Sequence, residues 1–76
     1  METVRVVFKD AQGAKIDCGV IIDGQSSGRT FQKLMVQTGH HEFALDSDVP
    51  HDPAHRECLV ENTSSDDPDT IKFTAS

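Results

Sequence analysis

The sequence contains no tryptophan and no tyrosine, and only four phenylalanines, so aromatic residues make up 5% of its 76 positions. With 36% hydrophobic residues, a chain of this length forms one small core and buries roughly 60% of the surface that its unfolded form exposes. We therefore expect a single domain over residues 1–76. A core this small excludes the deep cleft between two lobes in which most metabolic enzymes work, and we expect no enzymatic activity.

Basic residues are also scarce: seven Lys and Arg stand against 13 Asp and Glu, which gives a net charge of −6. Nucleic-acid binding needs clustered Lys and Arg, so this balance argues against a nucleic-acid partner. No apolar run approaches the ~18 residues of a membrane span, and no signal-peptide pattern is visible. These features predict no membrane partner and, by default, a cytoplasmic location.

The acidic excess lies entirely in the second half of the sequence. Residues 1–45 carry five bases and five acids, whereas residues 46–76 carry two bases and eight acids. Acid-rich stretches interrupted by proline favour solvated turns, and a charge asymmetry of this kind also marks partner-facing surfaces. The candidate partner-binding residues are the aspartates of this half: Asp46, Asp48, Asp52, Asp66, Asp67 and Asp69.

Alternation of apolar and polar residues, typical of half-buried strands, runs along most of the chain. It predicts six strands, at residues 3–9, 15–22, 29–37, 40–46, 56–62 and 70–75. A turn at 10–13 favours a hairpin of the first two strands, and the proline-containing loop 47–55 is expected to hold one helical turn after Pro53. Short links favour antiparallel pairing, so the predicted fold is all-β: a small antiparallel two-layer β-sandwich or open barrel.

The apolar positions of these strands predict the core. Each well-buried large side chain contributes about 1.5–3 kcal/mol, which makes this set sufficient for folding. The two cysteines lie within it, and both a disulfide and two buried thiols fit the pattern; we favour the thiols. The predicted inward residues are Val4, Val6, Phe8, Ile16, Cys18, Val20, Ile22, Leu34, Val36, Phe43, Leu45, Cys58, Val60, Ile71 and Phe73.

In residues 20–45, glycine-containing turns alternate with predicted strands at a characteristic spacing. The anchor positions are Asp23-Gly24, Gly28 and Thr30, then Gly39-His40 followed by Phe43 and Leu45. This pattern resembles the PEGA-type module of bacterial surface and envelope proteins, although the Pro-Glu-Gly-Ala string itself is missing. The resemblance implies a small immunoglobulin-like or prealbumin-like β-sandwich that serves as an interaction or spacer module without catalysis. It also implies a location in the cell envelope or outside the cell.

A cluster of histidines gives a possible metal site. His51, His55 and Cys58 form the spacing H-x3-H-x2-C, which would place both imidazoles on one face of a helix and allow a zinc-like ion to bind. The prolines within 50–53 disfavour a regular helix there. Metal binding is therefore one alternative for these three residues, and solvent-exposed or capping histidines are the other.

No pattern for nucleophilic catalysis is present in the sequence. Ser26-Ser27-Gly28 lacks the G-x-S-x-G arrangement of a nucleophile elbow. His40 and His41 follow a glycine at the start of a strand, where one is expected to bond the turn backbone and the other to face solvent. We therefore expect no catalytic residues and no cofactor.

Three hypotheses for function follow. The first is a non-catalytic interaction or structural module that binds a protein partner through strand edges and the polar loops 23–30, 47–55 and 63–69, with self-association through edge strands as a further option. The second is a small acidic inhibitor that masks a basic surface of a target protein. The third is a metal-binding module that uses His51, His55 and Cys58.

Overall fold

The computed structural model describes residues 1–52, 54–64 and 66–75, and the described chain is all-β, as predicted. Its strands are β1 (Glu2–Lys9), β2 (Gly19–Ile22), β3 (Gln25–Arg29), β4 (Lys33–Val36), β5 (Gly39–Asp46), β6 (His51–Asp52), β7 (His55–Val60) and β8 (Asp69–Ala75). The predicted strands over 3–9, 40–46, 56–62 and 70–75 correspond to β1, β5, β7 and β8. The remaining regions differ from the prediction in ways that have local causes.

The strands form two sheets of four, and these sheets are the two layers of the predicted sandwich. The first sheet has the order β4-β1-β8-β6 and the second sheet has the order β3-β2-β5-β7. Neighbouring strands pair antiparallel except β1 and β8, which pair in parallel. Strands near the beginning and end of the chain therefore lie side by side, a non-local pairing that short-link reasoning does not predict.

The predicted hairpin between 3–9 and 15–22 is reduced to its turn. The turn itself forms, with the Gly13 N–H donating to the Asp10 carbonyl at 3.0 Å. After the turn, the chain makes a single bridge between Lys9 and Lys15 and then crosses to the second sheet. The Cys18 N–H donates to the Thr30 hydroxyl at 3.2 Å. Residues 16–18 therefore connect the sheets and form no strand.

The predicted strand at 29–37 is divided between the two sheets. Asp23 and Gly24 have φ values of 53° and 82°, which form a tight turn of the primed type and join β2 to β3 as a hairpin. Phe31 then adopts a φ of 62°, and its N–H donates to the Val6 carbonyl at 2.8 Å. The chain changes sheets at this point, so β3 ends the second-sheet hairpin and β4 begins the edge of the first sheet.

The loop predicted at 47–55 contains a short strand instead of a helical turn. Pro53 lies outside the described residues. His51–Asp52 forms β6, and a bend at Ala54 precedes β7, which begins at His55. Pairing of β6 with β8 accounts for the extended conformation before position 53.

The core lies between the two sheets and follows the predicted positions closely. Ile16 and Cys58 pack against it while partly buried, and both cysteines are free thiols. The Cys18 thiol is buried, and the loss of solvation raises its pKa. The buried core residues are Val4, Val6, Phe8, Cys18, Val20, Ile22, Leu34, Val36, Phe43, Leu45, Val60, Ile71 and Phe73.

Candidate functional site

The aspartates predicted to bind a partner do not form one surface. Asp52 lies opposite Thr74 near the end of β8, whereas Asp69 begins β8. Seven residues at about 3.3 Å each place these two ends roughly 20 Å apart. The group at one end is Asp46, Asp48 and Asp52, and the group at the other end is Asp66, Asp67 and Asp69.

The structure also does not bring the three predicted metal ligands together. His51 lies in the first sheet, where its ring packs edge-on against Phe8 and Phe73 at centroid distances of 5.5 and 6.0 Å. His55 and Cys58 lie on β7, and residues three apart on a strand face opposite sides. Among residues 1–52, 54–64 and 66–75, no group of three or more His, Cys, Asp or Glu is placed to hold a metal ion.

The described chain offers outer surfaces for binding and encloses no pocket. Across the same residues, no helix has the length and apolar character needed to span a membrane. The surfaces to consider are therefore the open strand edges and the two outward faces of the sandwich. Each can be derived from the register of the strands.

The strand β7 forms an open edge of the second sheet. The Glu42 N–H donates to the Asp23 carboxylate at 2.9 Å, and its carbonyl accepts from the Asp23 N–H at 2.8 Å, so the Glu42 backbone points away from β7. Glu57 lies directly opposite Glu42, and the two therefore form a non-hydrogen-bonded pair. The backbone groups of Glu57 consequently point out of the sheet edge. By alternation, those of His55 and Leu59 do the same.

The outward face of the second sheet is acidic. Phe43 and Leu45 point into the core, so the residues between and beside them on β5 point outward. We define the acidic face by Glu42, Asp46 and Glu57, all exposed on this side. Arg29 on the same face is neutralised by Asp17, with Nη2 and Oδ2 3.2 Å apart. The acidic face therefore keeps its negative charge.

Glu42 and Glu57 form the closest charged pair on the acidic face. In a non-hydrogen-bonded antiparallel pair the Cα atoms lie only about 4.5 Å apart, and the side chains are closer than in a hydrogen-bonded pair. Like charges directly opposite each other destabilise a sheet. This pair is therefore held together by the fold against its own repulsion.

The outward face of the first sheet is basic, although the protein as a whole is acidic. We define the basic face by Arg5, Lys9, Lys33 and Lys72, which alternate with the buried residues of β1, β4 and β8. Asp52 lies at its β6 edge. Ion pairs among the described residues are limited to Arg29–Asp17 and His41–Asp23, so the four cations have no described counter-ion.

Arg5 and Lys33 repeat on the basic face the geometry of the two glutamates. They lie directly opposite each other on β1 and β4. The Val6 carbonyl accepts from the N–H of Phe31, on the β4 side, so the neighbouring Arg5 backbone points towards β8. Arg5 and Lys33 are therefore also a non-hydrogen-bonded pair. The Arg5 Nε is buried and has no hydrogen-bond partner among the described residues.

His41 and Asp23 form a charged link within the second sheet. His41 Nδ1 lies 2.6 Å from an Asp23 carboxylate oxygen, and Nε2 lies 2.6 Å from the Gln37 carbonyl. Both partners are acceptors, so both ring nitrogens donate and the imidazolium form is favoured. The bonds to Asp23 and Gln37 raise the pKa of His41. The Glu42 N–H and His41 lower the pKa of Asp23. His40 is exposed, as predicted for one histidine of the pair.

The Glu2 carboxylate ties the start of β1 to two distant connections. It accepts from the Thr38 hydroxyl, from the Thr63 N–H at 2.9 Å and from the Thr63 hydroxyl at 2.8 Å. These bonds lower the pKa of Glu2 to about 2. Sequence reasoning missed this cluster because its members are 36 and 61 positions away from Glu2 and share no local pattern.

Comparison of the chain with protein families, with curated proteins and with solved structures gives no match.

Proposed function

We propose that this protein is a non-catalytic interaction or structural module, similar to PEGA-type modules, that binds a protein partner through a strand edge and the adjoining polar loops. The observation that carries the proposal is the open β7 edge, where His55, Glu57 and Leu59 direct their backbone groups outward. A partner strand added there would pair with these groups, which is the usual mechanism of binding by strand addition. Leu59, with 49% of its surface exposed, would supply an apolar contact.

The β7 edge is favoured over the other sheet edges by its length and regularity. The strand β6 has two residues and β4 has four, whereas β7 has six. The pairing of β2 with β3 shifts register between Val20 and Ile21, an irregularity that protects an edge from further pairing. Among the described edges, β7 is therefore the best template for another strand.

The residues that carry the PEGA resemblance have scaffolding roles, which supports a module rather than an enzyme. Gly28 has a φ of 138°, and a Cβ there would lie 2.5 Å from a Leu34 methyl carbon. Thr30 is 3% exposed, and its hydroxyl accepts from the Cys18 N–H. These residues build the hairpin and its connection to the first sheet. In the proposed function these residues are structural, and the partner binds at the β7 edge and the adjoining polar loops.

Two substitutions at one position test the edge. Glu57→Pro removes one outward N–H without breaking the pairing with β5, and Glu57→Gln removes the same charge but keeps the N–H. A partner captured from extracts of the source cells by immobilised wild type should be lost with Glu57→Pro and retained with Glu57→Gln. Its capture should also persist at high salt. Equal capture by both variants would contradict edge binding, provided that thermal melting shows both are folded.

A second candidate function is the masking of a basic surface on a target protein, and the Glu42–Glu57 pair favours it. A cationic partner would relieve the repulsion between these two carboxylates. An oligolysine peptide is a suitable probe. Its addition should shift the NMR amide signals of the acidic face, and rising salt should weaken binding steeply. Here Glu57→Gln and Glu57→Pro should weaken binding alike, and an unchanged affinity in Glu57→Gln would reject this candidate.

A further inference from the structure

The two outward faces of the sandwich carry opposite charges in the same arrangement. On the basic face, Arg5 and Lys33 form a non-hydrogen-bonded pair across β1 and β4. On the acidic face, Glu42 and Glu57 form the equivalent pair across β5 and β7. In both, the Cβ atoms lie about 4.5–5.5 Å apart. The spacing of the two cations therefore matches the spacing of the two anions.

The match extends to the next row along the strands. The row preceding the cations is Thr3 opposite Met35, and the row preceding the anions is His40 opposite Leu59. Met35 is 57% exposed and Leu59 is 49% exposed, and both are large apolar side chains. When β1 of one copy and β5 of another run in the same direction, the charged rows lie over each other, and so do the two rows that contain Met35 and Leu59.

We propose that the basic face of one copy of this protein docks on the acidic face of a second copy. The contact is heterologous, because each copy contributes a different face, and it leaves one free face at each end of the pair. Docking brings carboxylates to cations that have no described counter-ion. It also relieves both like-charge pairs at once, because each carboxylate pair then faces a cation pair.

A second copy fits the basic face better than a nucleic acid. Sheet surfaces that bind single strands use exposed aromatic side chains on which bases stack. Phe8, Phe43 and Phe73 are buried here, and Phe31 lies under the Lys15 ammonium, 5.1 Å from the ring centre. The basic face therefore offers charge without a stacking platform, and the acidic face offers the complementary charge at the same spacing.

The expected association is weak and sensitive to salt. The molecule measures 31 × 25 × 17 Å, so a sheet face is smaller than the ~800 Å² that each partner contributes to a stable interface. The net charge of −6 also opposes contact at long range. Much of that charge lies in the connections at the ends of the sandwich, where Asp48, Glu61, Asp66 and Asp67 are exposed. Docking therefore requires high protein concentration.

Charge reversal on each face provides the test. In sedimentation velocity at about 50 mM salt, the average mass of the wild type should rise above 8.3 kDa as the concentration increases, and about 500 mM salt should suppress the rise. Lys33→Glu alone and Glu57→Lys alone should each weaken association on the order of tenfold or more, because like charges then meet. An equimolar mixture should restore it, since each variant retains the face that the other has lost.

Several results would overturn the proposal. A wild type that stays monomeric at millimolar concentration under low salt does so directly. Association that persists in either single variant places the contact elsewhere, and a mixture that remains monomeric excludes docking between the two faces. Circular dichroism of each variant establishes that it is folded. Self-association lost in Glu57→Pro but kept in Glu57→Gln would instead assign the contact to the β7 edge.

Discussion

The outward faces of the two sheets have the same architecture and opposite charge. Each presents a like-charge pair across an edge strand and its antiparallel neighbour, yet one pair is Arg5 with Lys33 and the other is Glu42 with Glu57. The members of each pair come from distant parts of the sequence. Charge in this protein is therefore sorted by sheet face. The acidic second half of the sequence, taken alone, conceals this sorting, since it also supplies Lys72 to the basic face.

Both faces depend on one shared core, and breaking that core should have the largest effect. Phe8 belongs to the first sheet and Phe43 to the second, and both are fully buried. Replacing either with Ala should cost about 3–5 kcal/mol, against a total stability of about 4–11 kcal/mol expected for a chain of this length. Urea unfolding should show one cooperative loss of both sheets for either variant. Phe31→Ala, at a half-buried position, is the control and should cost less.

The next effect concerns the side of the sandwich where β3 approaches β4. A Cβ on Gly28 would lie 2.5 Å from a Leu34 methyl carbon, at a φ of 138° that side chains rarely adopt. Gly28→Ala should therefore destabilise the protein by about 1–3 kcal/mol. Ser27→Ala, at the exposed neighbouring position, should change stability by less than about 0.5 kcal/mol. Equal urea midpoints for the two variants would show that the sheets are not closely packed here.

Sequence periodicity predicted the core because alternation reports which side of a strand is buried. Val4, Val6 and Phe8 illustrate this, since a period of two alone assigns them inward. Alternation does not report which strand lies alongside. The stretches 15–22 and 29–37 were therefore each predicted as one strand, although both change sheets part of the way along.

The candidate surfaces were less predictable for the same reason. Arg5 and Lys33 are neighbours only through the register of β1 with β4, and Glu42 and Glu57 only through that of β5 with β7. No local pattern encodes these registers. The predicted aspartates, chosen by their proximity in sequence, lie instead at two ends of the sandwich. The Asp23-Gly24 turn was predictable because its geometry depends on its own residues.

The charged link between His41 and Asp23 in the second sheet makes the stability of the protein depend on pH. The pKa of His41 is raised in the folded state, so its contribution is complete below the unfolded value of about 6.5 and is lost as pH rises through the folded value. The pKa of Asp23 is lowered, so its contribution is present above about 3.9 and is lost as pH falls through the folded value.

The variant Asp23→Asn tests this link, because Asn tolerates the positive φ of the turn and carries no charge. It should flatten the decline in the urea midpoint that the wild type shows as the pH rises above about 6.5, the unfolded pKa of histidine. The effect should be smaller than that of Gly28→Ala, because the Asp23 side chain is 52% exposed and its charge is screened. A wild-type midpoint that does not decline over this range would contradict the assigned imidazolium.

The smallest predicted change in stability tests the like-charge pairs on the two outward faces. Glu57→Lys and Lys33→Glu each convert a like-charge pair into an opposite-charge pair, and each should stabilise the monomer by about 0.2–1 kcal/mol. The two changes move the net charge of −6 in opposite directions, so a gain in both must come from the local pair. High salt should reduce both gains. Unfolding is measured at low protein concentration, where copies do not associate.

Matched controls use charges that lie opposite uncharged residues. Lys72 faces Val7 and Asp46 faces Gly19, so Lys72→Glu and Asp46→Lys should bring no comparable gain. If these controls are as stabilising as the variants at the pairs, the repulsion assigned to the pairs does not exist. A gain confined to the pairs means that both faces retain charges that weaken the isolated molecule. Such charges are stabilising only when an oppositely charged surface covers them, which is the condition that face-to-face docking supplies.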